Sequence, residues 1–270
     1  MISFPNINPV AISLGPLKVH WYGIAYVVGI LLACKVGKWL INRHNFNLPL
    51  KVLDDLFPYA VIGIIIGGRL GHVLFYDPIF YFSHPLDIPQ VWLGGMSFHG
   101  GLLGVTVAMY LFTKRRNIDF YVLADLLGLI APIGLFFGRI ANFINVELCG
   151  VTTDMAFGVV FPGENVARHP TQIYEAFLEG LVLCLILNAA YDWSDKLRKY
   201  KGTTGCLFLS LYALFRLFVE QFKVQSSVVQ LVEHPIGVGV ILCMVMLLLS
   251  LVILWLRIHA CNKIFNKKIT

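Results

Sequence analysis

Long apolar stretches separated by short polar segments dominate this 270-residue chain. A helix needs about 20 mostly apolar residues to cross the roughly 30 Å hydrocarbon core of a bilayer. Seven stretches approach or reach that length: residues 19–41, 53–75, 97–112, 121–144, 173–191, 204–222 and 236–258. The pattern predicts an all-α, polytopic integral membrane protein with about seven transmembrane helices and small loop elements between them.

The composition agrees with this class of protein. Hydrophobic residues make up 58% of the chain and charged residues 13%, which is too apolar for a soluble domain. The connections between the stretches are too short to fold independently, so residues 1–270 are predicted to form a single transmembrane domain. The net charge of +6 is not gathered into a basic patch interleaved with aromatic residues, so no nucleic-acid partner is expected.

The basic residues alternate along the chain in a way that predicts its orientation. Segments 35–51, 114–116, 196–201 and 257–268 hold 15 of the 21 Lys and Arg residues, and the connections between these segments carry only Lys18, Arg168 and Lys223. By the positive-inside rule, the N-terminus is expected on the outer side of the membrane and the C-terminus in the cytoplasm. The remaining three arginines lie within apolar stretches: Arg69, Arg139 and Arg216.

The segment GRIANFINVELCG, residues 138–150, follows an apolar run with almost no polar relief. It brings Arg139, Asn142, Asn145 and Glu147 to the end of the fourth stretch. A lone Arg there is readily explained by snorkelling to the interface. Because two Asn and a Glu accompany it, a functional site at membrane depth is the favoured interpretation.

Three further segments hold polar residues in apolar surroundings. In GGMSFHGGLLG, His99 is flanked by glycines that allow close approach of a ligand, although a structural histidine is the commoner case. Tyr212, Arg216 and Glu220 follow i, i+4, i+8 spacing and therefore share one helical face, where an internal Arg–Glu pair is the simplest interpretation. Tyr22, in HWYG, fits an aromatic belt at the interface.

Two other patterns favour structural roles. In HPTQIYEAFLEG, Glu175 and Glu179 share a helical face, and the segment is expected to cap its helix and brace its neighbours rather than catalyse. Gly63, Gly67 and Gly71 recur every four residues and predict close packing of another helix, with Arg69 lying off that stripe.

Together these residues suit an anionic lipid headgroup. Arg139 and Arg216 supply positive charge, Glu220 an acid, His99 a base, and Asn142 and Asn145 amide donors. Neither a Walker loop, a metal-ligand cluster nor a nucleophile elbow is present in the sequence, so neither a cofactor nor a metal is expected.

Six segments, in this order and spacing, resemble those of the bacterial prolipoprotein diacylglyceryl transferases: HWYG, GGRLGHVLFY, GGMSFHGGLLG, GRIANFINVELCG, HPTQIYE and FRLFVEQF. The resemblance covers essentially the whole chain. It implies a seven-span enzyme of the bacterial inner (cytoplasmic) membrane. Such an enzyme transfers the diacylglyceryl group of phosphatidylglycerol from the bilayer to the lipobox Cys thiol of a preprolipoprotein. A thioether forms and glycerol phosphate leaves.

The resemblance also implies residue roles. The positions that match the family's functional residues are Tyr22, His99, Arg139, Asn142, Glu147, Gly150, Tyr212, Arg216 and Glu220. Arg139 and Arg216 are expected to hold the phosphate and stabilise its developing charge, with Glu220 positioning Arg216. Phosphatidylglycerol is expected to contact Arg139, Asn142, Asn145, Glu147, Gly150 and Arg216. The base that takes the thiol proton is left open between His99 and Glu220.

The chain departs from the family pattern at several positions. Ala141 and Val146 stand where Gly is usual, Cys149 replaces Trp, and Lys223, Val224 and Gln225 replace a basic residue, Pro and Asp. A divergent enzyme that retains activity is expected, with its substrate range open. A covalent lipid carrier at Cys149 is not expected, because the nucleophilic thiol belongs to the substrate. The alternative class is a non-enzymatic lipid-binding or lipid- or anion-transporting paralogue, although no transporter-like repeat is visible.

Overall fold

A computed structural model describes residues 2–5, 7–15, 17–224, 228–231 and 234–266; Gln225 lies outside these ranges. The α-helices in the described residues are α1 Trp21–Arg43, α2 Val52–Phe75, α3 Pro78–Ser83, α4 Phe98–Arg116, α5 Phe120–Ile144, α6 Thr171–Glu175, α7 Leu183–Trp193, α8 Asp195–Lys199, α9 Thr203–Glu220 and α10 Val238–Asn266, and two short 3-10 helices, Pro85–Asp87 and Val91–Leu93, lie between α3 and α4. A π-helical turn, Ala176–Val182, joins α6 to α7.

Six helices in the described part of the chain are long and apolar enough to cross a membrane: Trp21–Arg43, Val52–Phe75, Phe120–Ile144, Thr171–Trp193, Thr203–Glu220 and Val238–Lys263. The predicted polytopic, mainly helical membrane protein is therefore confirmed. Helix α4 occupies the third predicted stretch but is not one of these six, since it includes three glycines and ends in Lys114, Arg115 and Arg116.

The all-α prediction is incomplete, because short strands occupy the connections: β1 Ile2–Ser3, β2 Val10–Leu14, β3 Leu17–His20, β4 Val159–Val160, β5 Ala167–Arg168, β6 Val228–Leu231 and β7 His234–Gly237. Strands β2 and β3 form an antiparallel hairpin that leads directly into α1, so residues 19–20 are strand rather than helix as predicted. Likewise 236–237 belong to β7, and α10 extends past residue 258. Strand β1 pairs with β4, which pairs with β5.

Helix α5 is the centre of the bundle. Its side chains Leu123, Leu126 and Leu129 are fully buried, and they belong to one apolar cluster with Leu183 and Leu187 of α7. Because the alternative to burial in a membrane is contact with lipid rather than water, these leucines hold the helices together through van der Waals packing. Because α5 is held along its length, its C-terminal end has a fixed position from which to present Arg139 and Asn142.

The predicted close packing along the glycine stripe is confirmed. Helix α2 lies directly against α4: a Cβ on Gly67 would lie 2.4 Å from the Gly100 carbonyl oxygen, and one on Gly104 would lie 1.9 Å from that of Gly63. Only residues without a side chain permit such an approach of two helix backbones.

Candidate active site

Three cations and three carboxylates meet near the C-terminal end of α5. Arg139 comes from α5, Arg216 and Glu220 from α9, Glu175 and Glu179 from α6 and the π-helical turn, and Lys223 from just beyond α9. We call these six residues the charged network. Their formal charges sum to zero, which is how ionisable groups are tolerated in apolar surroundings.

Glu175 is the centre of the charged network. Its Oε1 accepts hydrogen bonds from Lys223 Nζ at 2.8 Å and from Arg216 Nη1, and its Oε2 lies 3.1 Å from Arg139 Nε, at ion-pair distance. Its side chain is fully buried, while those of Arg139 and Arg216 are only 14% and 18% exposed. One carboxylate therefore holds two helices, α5 and α9, in fixed relation.

Glu179 and Glu220 complete the pairing. Arg139 Nη2 lies 3.4 Å from Glu179 Oε2, and Arg216 Nη1 lies 3.7 Å from Glu179 Oε1. Arg216 Nη2 lies 3.3 Å from Glu220 Oε2, which confirms the predicted Arg–Glu pair on the face of α9. In a π-helix each N–H bonds five residues back, so Glu175 and Glu179, four residues apart, project in nearly the same direction.

Sequence reasoning missed the importance of Glu175 and Glu179. The capping role expected for this segment is wrong, because α6 begins at Thr171 with no side-chain cap and Glu175 is its last residue. The expected bracing role is correct, since Glu175 and Glu179 link Arg139 of α5 to Arg216 of α9. The sequence did contain a signal for this role. Arginines inside apolar stretches require carboxylate partners, and Glu175 and Glu179 are carboxylates on one helical face inside such a stretch.

Tyr212 and His99 lie beside the charged network. The Tyr212 side chain is fully buried and its ring stacks on that of Phe98, with centroids 5.0 Å apart. His99 Nε2 lies 3.4 Å from Cys243 Sγ of α10, and its buried Nδ1 has no hydrogen-bond partner within the described ranges. The neighbouring Cys243 could not be predicted, because it lies in an uninterrupted apolar run.

The loop after α5 forms a second group. Glu147 accepts hydrogen bonds from Asn142 Nδ2 at 2.8 Å and from Asn145 Nδ2 at 3.3 Å. A cavity of about 590 Å³ opens beside it, which we call the mouth cavity, lined by Lys18, Val19, His20, Tyr22, Gly23, Asn145 and Glu147. The structure thus brings Tyr22 together with Asn145 and Glu147 at the mouth cavity. Asn142, which binds Glu147, lies one helical turn after Arg139.

Position 150 requires glycine, because its backbone lies too close to neighbouring chain segments to leave room for a side chain. Its N–H donates to the His169 carbonyl at 2.9 Å, and a Cβ would lie 2.5 Å from the Phe222 carbonyl oxygen. The loop is held further by Thr171 Oγ1, which donates to the Leu148 carbonyl at 2.8 Å, and by Gln172 Nε2, which donates to the Glu147 carbonyl. These contacts fix Glu147 in place.

The departures from the family pattern have different structural meanings. Val146 adopts φ +58°, a left-handed conformation in which Gly is preferred and a β-branched residue is strained. Ala141 is fully buried without strain, and Val224 is exposed, with nothing around it to explain the substitution. Burial raises the pKa of the Cys149 thiol, which disfavours its thiolate and agrees with the expectation that Cys149 is not a nucleophile.

Lys223 keeps the basic character usual at its position, and the structure places it in the charged network. Burial, and after it the neighbouring charge of Arg216, lowers the pKa of the Lys223 ammonium. Only its contact with Glu175 compensates among the nearer groups. The Lys223 ammonium therefore loses its charge more easily than the ammonium of an exposed lysine.

Comparison with known proteins gives one family. Residues 9–256 match the family model described as prolipoprotein diacylglyceryl transferase. The chain is 49% identical to a phosphatidylglycerol–prolipoprotein diacylglyceryl transferase of Rickettsia felis, over 92% of this chain and 96% of the relative. Proteins of the same name from Rickettsia akari and Rickettsia bellii are 48% and 46% identical, over 92% and 93% of this chain and 96% and 95% of the relatives. Because the family model covers most of the chain and these relatives are nearly half identical over more than nine tenths of it, the chain belongs to the prolipoprotein diacylglyceryl transferase family.

Proposed function

We propose that this protein transfers the diacylglyceryl group of phosphatidylglycerol to the lipobox Cys thiol of a preprolipoprotein. The observation that carries the proposal is the convergence of Arg139 and Arg216 on the shared carboxylate of Glu175, one helical turn from Asn142 and the mouth cavity. The names of relatives that are nearly half identical over most of the chain favour this enzyme over the non-enzymatic alternative.

We place the enzyme in the bacterial inner membrane as one transmembrane domain, residues 1–270. In this arrangement α4 is the seventh membrane-crossing helix, supported by its 19-residue length and its glycine-mediated contact with α2. The basic segments at the Asp119 end of α5 would face the cytoplasm, and the charged network would face the outer leaflet. Both lipid and preprolipoprotein would then reach the site from the membrane.

The phosphate of phosphatidylglycerol would bind to arginine donors that the carboxylates leave free. Arg139 Nη1 and Arg216 Nε have no hydrogen-bond partner among the described residues, whereas their other nitrogens face Glu175, Glu179 and Glu220. Two guanidinium groups aimed at one anion stabilise charge that develops on the leaving phosphate. The carboxylates would keep both groups in position before the lipid arrives.

The reaction exchanges one bond for another. The substrate thiolate sulfur attacks the glyceryl carbon that carries the phosphate, so a C–S bond forms as the C–O bond breaks. The glycerol phosphate leaves with the electron pair of that bond, and the thiol proton passes to a base. His99, with its free Nδ1, and Glu220, beside Arg216, remain the two candidates for that base. Asn142, Asn145 and Glu147 would bind the hydroxyls of the glycerol headgroup.

The test is transfer of labelled diacylglyceryl from phosphatidylglycerol to a lipobox peptide by the purified protein. We expect product with the parent and a loss of about 100-fold or more with Arg139→Ala, because a transition-state contact is removed. Arg43→Ala is the matched control, since Arg43 pairs with Asp192 at the far end of α1. The proposal is wrong if a well-folded parent forms no product.

A further inference from the structure

Arg69 of α2 is a buried arginine held in a different way from the others. Only 4% of it is exposed, and its guanidinium donates to backbone carbonyls: Nε to Ile88 at 2.7 Å, Nη2 to Asp87 at 2.7 Å, and Nη1 to Gly94 at 2.6 Å and Gly95 at 3.3 Å. The Tyr81 ring lies 4.9 Å from its central carbon. Within the described residues, Arg69 has no carboxylate partner at ion-pair distance.

The Gly94–Gly95 turn is shaped around this guanidinium. Both glycines have positive φ, +87° and +73°. A Cβ on Gly95 would lie 2.9 Å from Arg69 Nη1 and 2.7 Å from His72 Cδ2. The glycines of this segment therefore allow the turn to close on Arg69, whereas the sequence alone pointed to close approach of a ligand.

The turn leads directly into the start of α4. The Ser97 N–H donates to the Gly68 carbonyl at 2.9 Å, and Ser97 Oγ accepts from the Gly100 N–H at 3.2 Å, which caps the helix. The next two residues point into the site, with Phe98 stacked on Tyr212 and His99 against Cys243. Arg69 thus ties the Gly94–Gly95 turn, which ends four residues before His99, to the carbonyls of Asp87 and Ile88.

We propose that Arg69 is a positioning residue that sets the location of His99 against α9 and α10 through the Gly94–Gly95 turn. Its effect on transfer rests on the proposed function. Lysine cannot take its place, because a single ammonium cannot reach the carbonyls of residues 87–88 and of residues 94–95 together, whereas the planar guanidinium presents five N–H donors. A snorkelling arginine would instead extend toward water, and this one is enclosed by backbone.

The experiment compares Arg69→Lys in the parent and in His99→Gln, with Arg43→Lys as the matched control. It measures kcat, the KM for phosphatidylglycerol, and the rate at which N-ethylmaleimide labels Cys243, located by mass spectrometry. We expect Arg69→Lys to lower kcat by about tenfold or more while KM stays within about twofold, since misplacement of a reacting group chiefly slows the chemical step. Cys243 labelling should rise, because His99 no longer covers it.

In the His99→Gln background, Arg69→Lys should change kcat by less than about twofold, because the two residues act as a unit. The link to His99 is overturned if the effects of Arg69→Lys and His99→Gln on kcat multiply in the double variant. It is also overturned if His99→Gln is as fast as the parent. Unchanged kcat and unchanged Cys243 labelling in Arg69→Lys would overturn the positioning role. If the parent transfers no lipid but labelling of Cys243 still rises in Arg69→Lys, the proposed function fails and the positioning role stands.

Discussion

The two ends of the bundle hold their charges in opposite ways. At the site end, Glu175 is fully buried and shared by Arg139, Arg216 and Lys223. At the far end, Lys38 and Asp54 form a pair at 2.8 Å with 40% and 49% of their side chains exposed. Exposed pairs contribute about 0–1 kcal/mol, whereas removing one partner from a buried pair costs about 3–5 kcal/mol. The shared carboxylate of Glu175 is therefore expected to contribute more to stability than the exposed Lys38–Asp54 pair.

The ends also differ in backbone strain. Among the described residues, the non-glycine residues with positive φ at the far end are Asn45 and Asn117, a residue type that tolerates this conformation, and Asn117 ends α4 there. At the site end the left-handed residues are Val146 and Leu148, on either side of Glu147. Strain of this kind persists only where surrounding contacts impose it, and it concentrates at functional sites.

The largest effect is expected when Glu175 is replaced by Ala. Two arginines and Lys223 would lose their shared partner, so we expect stability to fall by about 3–5 kcal/mol. Transfer should fall with it, because Arg139 and Arg216 are no longer held. Unfolding in detergent measures the change in stability.

Asp192→Ala is the control for this replacement. Asp192 likewise serves more than one partner, Arg43 and His44, but lies at the far end and is partly exposed. We expect it to cost about 1 kcal/mol or less. Equal losses for the two variants would refute the distinction between the ends.

The pH dependence should separate Lys223 from lysines at the far end. Because its pKa is lowered, the ammonium is neutral at a lower pH than an exposed lysine, and the charged network then loses one of its three cations. We expect transfer to decline on the alkaline side and Lys223→Arg to move that decline to higher pH, since arginine keeps its charge. Lys201→Arg, at the exposed pair with Asp119, should leave the pH profile unchanged. Superimposable profiles for parent and Lys223→Arg would show that Lys223 does not limit activity.

Strain at the site end predicts a stabilising substitution. Val146→Gly should raise stability by about 1 kcal/mol, because it relieves a left-handed β-branched residue at some cost in unfolded-chain entropy. Asn117→Gly is the far-end control and should change stability by only a few tenths of a kcal/mol, since Asn tolerates this conformation. Thermal unfolding of both variants gives the comparison. A destabilised Val146→Gly would mean that contacts of Val146 with the Phe143 and Phe161 cluster outweigh the strain.

The sequence predicted the helices well because a span needs a length of apolar residues that is visible in any window. It also found Arg139, Arg216 and Glu220, since charges inside such windows stand out. The partners of Arg139 were harder, because Glu179 lies 40 residues away and helix-to-helix pairing leaves no period in the sequence. The two-residue strands β1, β4 and β5 are too short to show alternation. The role of the glycines before His99 depended on where Arg69 points, which the spacing alone does not reveal.

The smallest effect on stability is expected for the exposed pair of Lys38 and Asp54 at the far end. A double-mutant cycle with Lys38→Met and Asp54→Asn should give a coupling below about 1 kcal/mol, because both side chains are solvated. Raising the ionic strength to about 1 M should shrink that coupling further, since the screening length falls to about 3 Å. The buried pair of Arg139 and Glu175 should resist the same salt, because ions cannot enter between them. If both couplings shrank alike, the charged network would be open to water, and its arginines could exchange carboxylate for phosphate without any movement of the helices.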